Sequence, residues 1–410
     1  MTTQADHQMS NLTIDQVLTR GVEQILPSKA GLAKLMKQQK IRLYLGIDPT
    51  GAFLHLGHSV PLRKLQQFAE LGHEVILLIG NGTVKIGDPT GRDTSRPVLT
   101  DQEIEANFQN WKKQASKILD FDQIEIRHNG DWLDKMMLTD FIKLMAKTTV
   151  QQLFERDMFQ QRLKKNLPIH GHEILYPMLQ GYDSVAMDVD LEIGGTDQTF
   201  NMMMGRTLQK TYHNKEKWVL TTPLIEGTDG RKMSKSFNNY VALTTPAQEM
   251  YGKLMSLKDE LILKYFRVLT DVPQAQITAM QQAMKQGENP MRFKKQLAKT
   301  ITSQYHDAQA ANQAEQYFEK TVQNQEFGQA QICKVEEQQN NIVEMLKKGP
   351  IKRSKSALRR LAKQGAITVY FKDGQSQKIT DPYQVLETDQ VDKIKVGKRG
   401  FYQVITQSKK

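Results

Sequence analysis

Tyr44-Leu-Gly-Ile-Asp-Pro-Thr-Gly-Ala-Phe-Leu-His-Leu-Gly-His58 decides how this chain of 410 residues is read. An apolar run over residues 41–47 breaks at Asp48-Pro49-Thr50-Gly51, and His55-Leu-Gly-His58 then opens a helix, so the stretch predicts strand, tight turn, helix. Gly46 and Gly57 remove side chains where a ligand could approach the backbone closely, and a helix N-terminus offers N–H groups and a positive dipole end to an anion. His55 and His58, three residues apart, share a face of the first turn. Such a site suits a nucleotide's phosphates. Residues 59–71 continue the helix, Gly72 ends it, and the apolar run Val75-Ile-Leu-Leu-Ile-Gly80 predicts a strand buried on both faces. The unit is β-α-β, half of an α/β doubly wound parallel-sheet fold, with the ligand expected beyond the strands' carboxyl ends.

A second loop, Gly230-Arg-Lys-Met-Ser-Lys-Ser-Phe237, sets three cations and two hydroxyls in a short, glycine-led segment that can fold over a triphosphate. Between the two loops lie further polar groups at predicted strand ends. Asp88, Arg92 and Arg96 fall in a turn-rich segment directly after the second strand. Tyr176, Gln180 and Asp183 share one helical face, flanked by the apolar Met178, Leu179 and Val185 that mark a buried helix. Leu191-Glu-Ile-Gly-Gly-Thr-Asp197-Gln198 reads as a strand running into a glycine-rich turn, and residues 217–221 as the last strand of this domain. Residues 124–127 predict a short strand. Residues 1–40 read as helix in two pieces about Pro27-Ser28, and 131–159 as a mostly helical insertion.

Composition is that of a globular protein, 39% hydrophobic and 25% charged, with no stretch of membrane-spanning character. The start of the chain carries neither a secretory signal nor a presequence, and the single cysteine, Cys333, excludes an internal disulfide; a cytoplasmic setting is expected. The net charge of +11 is uneven. Residues 345–410 hold 16 Lys and Arg against 5 Asp and Glu, leaving 40 of each over residues 1–344. A basic block with apolar residues such as Leu358, Val369 and Ile405 predicts a folded polyanion-binding module on a neutral body. Five segments are expected: a catalytic domain with its insertion over 1–230, the cationic loop over 231–244, an all-α domain over 245–322, a glutamine-rich linker over 323–341 and a small basic α+β domain over 342–410.

His55-Leu-Gly-His58 resembles the HIGH signature, with Leu56 in place of Ile, and Lys232-Met-Ser-Lys-Ser236 is identical to KMSKS; together they resemble the class I aminoacyl-tRNA synthetases. Residues 354–369, a capped basic helix carrying Lys355, Arg359, Arg360 and Lys363 and then a strand, resemble the S4 RNA-binding domain. A class I synthetase of this size with such an appendage looks like the bacterial-type tyrosyl-tRNA synthetases over essentially the whole chain. The resemblance implies a Rossmann-type catalytic domain that joins L-tyrosine to ATP and passes tyrosyl to tRNA(Tyr), with the all-α domain on the anticodon side. It implies that Tyr44 and Asp183 bind the phenol, with Asp88, Tyr176, Gln180 and Gln198 around the amino end. Gly46, Asp48, Thr50, His55, His58, Gly195 and Asp197 match positions around ATP, and Lys232, Lys235, Arg92 and Arg96 match the mobile phosphate loops. ATP would come with Mg²⁺, with no tightly bound cofactor and no protein-held metal, and the family is homodimeric through its catalytic domains. A tryptophan-specific synthetase and a non-catalytic RNA binder on the same scaffold are the competing readings.

Overall fold

The computed structural model describes residues 12–90, 99–320, 331–336, 339–348, 351, 353–397 and 400–407. The chain forms two compact units: one runs to Thr245 and resumes over Ser256–Leu297, and the other comprises Pro246–Met255 and continues from Ala298. That division cuts through the helical segment expected as a single all-α domain.

Six strands of the first unit form one sheet: β1 (Gln24–Leu26), β2 (Arg42–Ile47), β3 (Glu74–Ile79), β4 (Ile124–His128), β5 (Leu191–Gly195) and β6 (Trp218–Thr222), in the order β1-β6-β5-β2-β3-β4. All neighbours pair in parallel except β1, which is antiparallel to β6. Residues 75–79 of β3 are all buried, the pattern of a strand covered on both faces. The helix Leu56–Glu70 packs on β2, β3 and β5, and the helix Thr199–His213 on β5 and β6.

The sheet order reverses at β2 and β5, which fixes where a ligand can enter. Their pairing ends at Leu45 with Ile193, whereas β2 stays paired to β3 as far as Ile47 with Ile79, and β5 to β6 as far as Gly195 with Thr222. The two central strands therefore part at their carboxyl ends and leave a crevice.

Two readings are corrected. The segment before Lys40 is not purely helical: a helix at Ile14–Val17 and another at Lys29–Gln38 flank β1. Three residues are too few to show a period of two, and β1 exists because β6 offers it an edge. The glutamine-rich span 323–341 is not only a linker, because Gln331–Glu336 (β7) and Gln339–Asn341 (β8) are strands; residues 323–330 lie outside the described residues. Strand pairing uses backbone groups, so polar composition conceals it. In the second unit β7 runs parallel to Gly400–Gln407 (β13) at the end of a sheet ordered β10-β9-β12-β13-β7, where β9 is Ile367–Phe371, β10 Ser376–Ile379 and β12 Val391–Val396. The core here includes Cys333, Leu346, Leu358, Ala362, Val369 and Ile394. Cys333 is a buried thiol, and burial raises its pKa.

Within the insertion the helix Asp157–Lys164 is tied to the turn that starts the site helix. Arg162 and Glu173, 1% and 2% exposed, form a two-pronged pair: Nη1 to Oε1 at 2.8 Å and Nη2 to Oε2 at 3.0 Å. The backbone N–H of His170 also donates to Glu173 Oε2 at 2.9 Å. Glu173→Gln strands the Arg162 charge and is expected to cost about 3 kcal/mol, whereas replacing both residues by methionine leaves no buried charge and should cost less. Urea midpoints of the two variants test this; an equal or larger loss in the double variant refutes it.

Candidate active site

A cavity of about 240 Å³ occupies the crevice, lined by Tyr44 to Asp48 from β2 and its end, Glu192 to Gly195 from β5, and Thr50, His58, Asp88 and Gln198. The helix Tyr176–Met187 adds Tyr176, Gln180 and Asp183, so the three-residue face predicted from the sequence does point into the site.

Tyr44 and Asp183 are both buried. The Tyr44 hydroxyl lies 3.0 Å from Ser184 Oγ, and burial pushes its pKa well above the ordinary phenol value, so it stays protonated. Asp183 accepts from Trp132 Nε1 at 2.9 Å on one oxygen and from Asn129 Nδ2 at 3.2 Å on the other. Burial raises the Asp183 pKa well above its ordinary value, and these two donors, which favour the ionised form, oppose the rise. Both oxygens are thereby aimed as acceptors, which suits a hydroxyl on a ligand.

Further along the cavity Asp48 accepts from Thr83 Oγ1 at 2.8 Å and from the Tyr176 hydroxyl at 2.9 Å. Asp88 accepts from Gln198 Nε2 at 2.7 Å, from the Thr90 N–H at 2.9 Å and from Arg156 Nη2 at 3.4 Å.

His55 is the N-cap of the motif helix. Its Nδ1 accepts from the Gly57 N–H at 3.1 Å, and His58 Nδ1 accepts from the His55 N–H at 3.1 Å. Two of the donors expected to meet an anion are thus used by the imidazoles. Gly57 has its reason here rather than in ligand approach, because a Cβ would come 2.9 Å from His55 Cε1. Burial, then the Lys235 charge, lowers the His55 pKa to about 3; burial, then His55, holds His58 well below its ordinary value. Both rings are neutral at physiological pH. With Nδ1 accepting, the ring proton sits on Nε2, so each presents a neutral N–H donor.

The cationic loop is pinned by Asn239, which is buried: its Oδ1 accepts from the Ser234 N–H at 2.8 Å, and its Nδ2 donates to Asp229 at 2.7 Å and to the Lys232 carbonyl at 3.0 Å. Buried Met233 anchors the strip through its N–H to the Ile225 carbonyl, 2.9 Å. Lys232 Nζ is 2.7 Å from Asp197 Oδ2, a pair exposed enough to be exchanged for a phosphate. Lys235 Nζ sits 5.8 Å from the centre of the Trp111 ring, which itself lines the cavity.

Most of the residues predicted for the site therefore converge, with His55, Asp197, Lys232 and Lys235 beside the cavity rather than lining it. Arg92 and Arg96 lie outside the described residues. In the second unit Lys355, Arg359, Arg360 and Lys363 are exposed on the helix Lys355–Lys363, whose Leu358 and Ala362 are buried, and Lys355 pairs with Glu344 at 2.8 Å. Sequence reasoning missed Asn129 and Trp132, although both follow β4 at the same sheet edge as the other site groups. It also missed Ser184, Glu192, Asn201 and Lys217, which carry no motif.

The family model for class I tRNA synthetases (W and Y) matches residues 36–323. The tyrosine–tRNA ligase of Thermotoga maritima is 44% identical over 391 residues, covering 95% of this chain and 96% of its own, and that of Moorella thermoacetica is 40% identical over 398 residues, covering 95% of each. Among solved structures, the tyrosyl-tRNA synthetase of Archaeoglobus fulgidus, complexed with L-tyrosine, superimposes with a TM-score of 0.60 at 21% identity, covering 74% of this chain and all of that one; at that identity the likeness concerns the fold. The split central strands, the capped histidine pair and the anchored KMSKS loop accompany a match across most of the chain, and the chain belongs to the class I tRNA synthetases of the W and Y group.

Proposed function

We propose that the protein is a tyrosine–tRNA ligase of the bacterial type, which joins L-tyrosine to ATP with release of pyrophosphate and then transfers tyrosyl to tRNA(Tyr). The observation that carries the choice of amino acid is the buried pair in the cavity lining, where Asp183 has both oxygens aimed as acceptors and the Tyr44 hydroxyl is protonated. A buried acceptor of this kind penalises a ligand that lacks the hydroxyl. The relatives' activity points the same way.

In the first step the tyrosine carboxylate attacks the α-phosphorus of ATP, an O–P bond forms and the bond to the β-phosphate oxygen breaks. No protein nucleophile is needed, so the task is positioning and charge stabilisation. His55 and His58 supply neutral Nε2–H donors, and Lys232 and Lys235 supply cations for the charge that grows on pyrophosphate. Arg92 and Arg96 are assigned the same duty on the resemblance of their segment alone. ATP enters as its Mg²⁺ complex. In the second step the terminal ribose hydroxyl attacks the acyl carbonyl and AMP leaves.

ATP–pyrophosphate exchange with tyrosine, tryptophan and phenylalanine tests the assignment. Only tyrosine should support rapid exchange, and the preference over phenylalanine should reach about 10⁴ to 10⁵, a magnitude for which tyrosyl-tRNA synthetases are themselves the reference case. Tyr44→Phe and Asp183→Asn should each lower that preference by about 10- to 100-fold, and Lys235→Ala should slow adenylate formation about 100-fold with little change in tyrosine binding. Unaltered selectivity in both pocket variants would show that the phenol is read elsewhere.

The basic second unit is assigned to tRNA. Truncation after Lys320 removes 17 Lys and Arg against 9 Asp and Glu, +8 of the net +11, so adenylate formation should persist while tRNA binding weakens and loses part of its salt dependence. Filter binding over a salt series checks this, and an unchanged slope would leave the unit without a role in RNA binding.

A homodimer is proposed through the insertion, where Leu138 and Ile142, one turn apart on the helix Leu138–Met145, are 72% and 58% exposed with Met137 and Val150 also exposed. A large exposed apolar surface is a liability for a monomer. Ile142→Glu should shift the sedimentation coefficient from dimer to monomer, and a wild-type protein that sediments as a monomer at micromolar concentration contradicts the assignment.

A further inference from the structure

At the cavity wall Glu192 meets the buried Lys217. Lys217 Nζ donates to Glu192 Oε2 and, at 3.2 Å, to the Met202 carbonyl; the two side chains are 0% and 2% exposed. The second oxygen of Glu192 accepts from Gln180 Nε2 at 3.1 Å. Gln180 Oε1 then accepts from Asn201 Nδ2 at 2.9 Å, and the same Asn201 nitrogen donates to Gln198 Oε1 at 2.9 Å. Gln198 gives its Nε2 to Asp88 Oδ2 at 2.7 Å.

A carboxamide turns over with almost no change of shape, so its partners decide which end faces a ligand. Here the partners agree at both ends of both amides. Two carboxylates, Glu192 and Asp88, take the nitrogens, and one donor, Asn201, takes the oxygens. Gln180 and Gln198 line the cavity, and each oxygen keeps a second lone pair. The wall therefore offers acceptors, the complement of an ammonium group.

We propose that Glu192, Lys217 and Asn201 are positioning residues that lock the amides of Gln180 and Gln198 with their oxygens set for the α-ammonium of the amino-acid substrate. The inference rests on the tyrosine reading of the site. A role in fold stability explains these residues poorly. A buried ion pair is seldom a better stabiliser than apolar residues of the same volume. Asn201 is fully buried, and its Oδ1 has no hydrogen-bond partner among the described residues, an arrangement that costs stability. Gly205 makes room for the pair: a Cβ there would stand 2.5 Å from Lys217 Nζ and 2.6 Å from Ser184 Oγ, the atom that holds the Tyr44 hydroxyl.

The test compares L-tyrosine with desaminotyrosine, which keeps the phenol and the carboxylate but lacks the amine. Equilibrium binding is measured by titration calorimetry on the full-length wild type, on Asn201→Leu, and on the double variant Glu192→Gln with Lys217→Met, which leaves no buried charge unpaired. Wild type should prefer tyrosine, and in each variant that preference should fall by about tenfold or more because only tyrosine weakens. The KM for tyrosine should rise in exchange assays while the KM for ATP holds. Equal weakening of both ligands would make the residues structural and overturn the proposal, as would an intact preference in both variants. A wild type that binds the two ligands equally would likewise overturn the proposal, whereas one that binds neither would instead overturn the tyrosine reading on which it stands.

Discussion

The parting of β2 from β5 is the constraint on which the site depends. Hydrogen-bonded pairing of the two strands stops at Leu45 and Ile193, while their outer neighbours hold β2 and β5 in the sheet to its carboxyl edge. At this switch point the connections of the two strands leave in opposite directions, so a hollow opens there without breaking the core. The residues that follow the last shared pair, Gly46 to Asp48 on one strand and Gly194 and Gly195 on the other, line the cavity as a direct result.

Charge is then distributed along that hollow by burial. Tyr44 and Asp183, both buried, stay protonated or accept hydrogen bonds, and the two imidazoles at the start of the motif helix are kept neutral by burial and by the nearby lysine. In the KMSKS strip the half-exposed Lys232 is paired with Asp197, and Met233 is fixed in the core. Neutral donors on a rigid helix and cations on a loop divide the work. In the proposed adenylate-forming step the helix is the part that orients the nucleotide, and the cations count most when negative charge develops on the leaving pyrophosphate.

The histidines also show how one side chain serves fold and function together. Each imidazole satisfies a backbone N–H that a helix start otherwise leaves without a partner, and that bond dictates which ring nitrogen keeps its proton. The helix cap and the chemical donor are thus the same group seen from its two ends.

The motifs were legible in the chain because each depends on neighbours a few residues apart: His55 and His58 on one helical turn, Tyr176, Gln180 and Asp183 on one face, and Lys232 and Lys235 in one loop. The β-α-β unit was legible for the same reason, since hydrophobic periodicity is local. The strands β1 and β7 were not, because each is defined by an edge that another part of the chain provides. The network of Lys217, Glu192, Asn201 and Ser184 was invisible as well; its members lie on different elements and have no periodic spacing to read. Sequence alone thus determined the candidate residues of the motifs and the kind of sheet that presents them. Only the tertiary structure decided which protonation state and which amide orientation each takes, because burial and long-range hydrogen-bond partners, which set both, do not exist until the strands have paired.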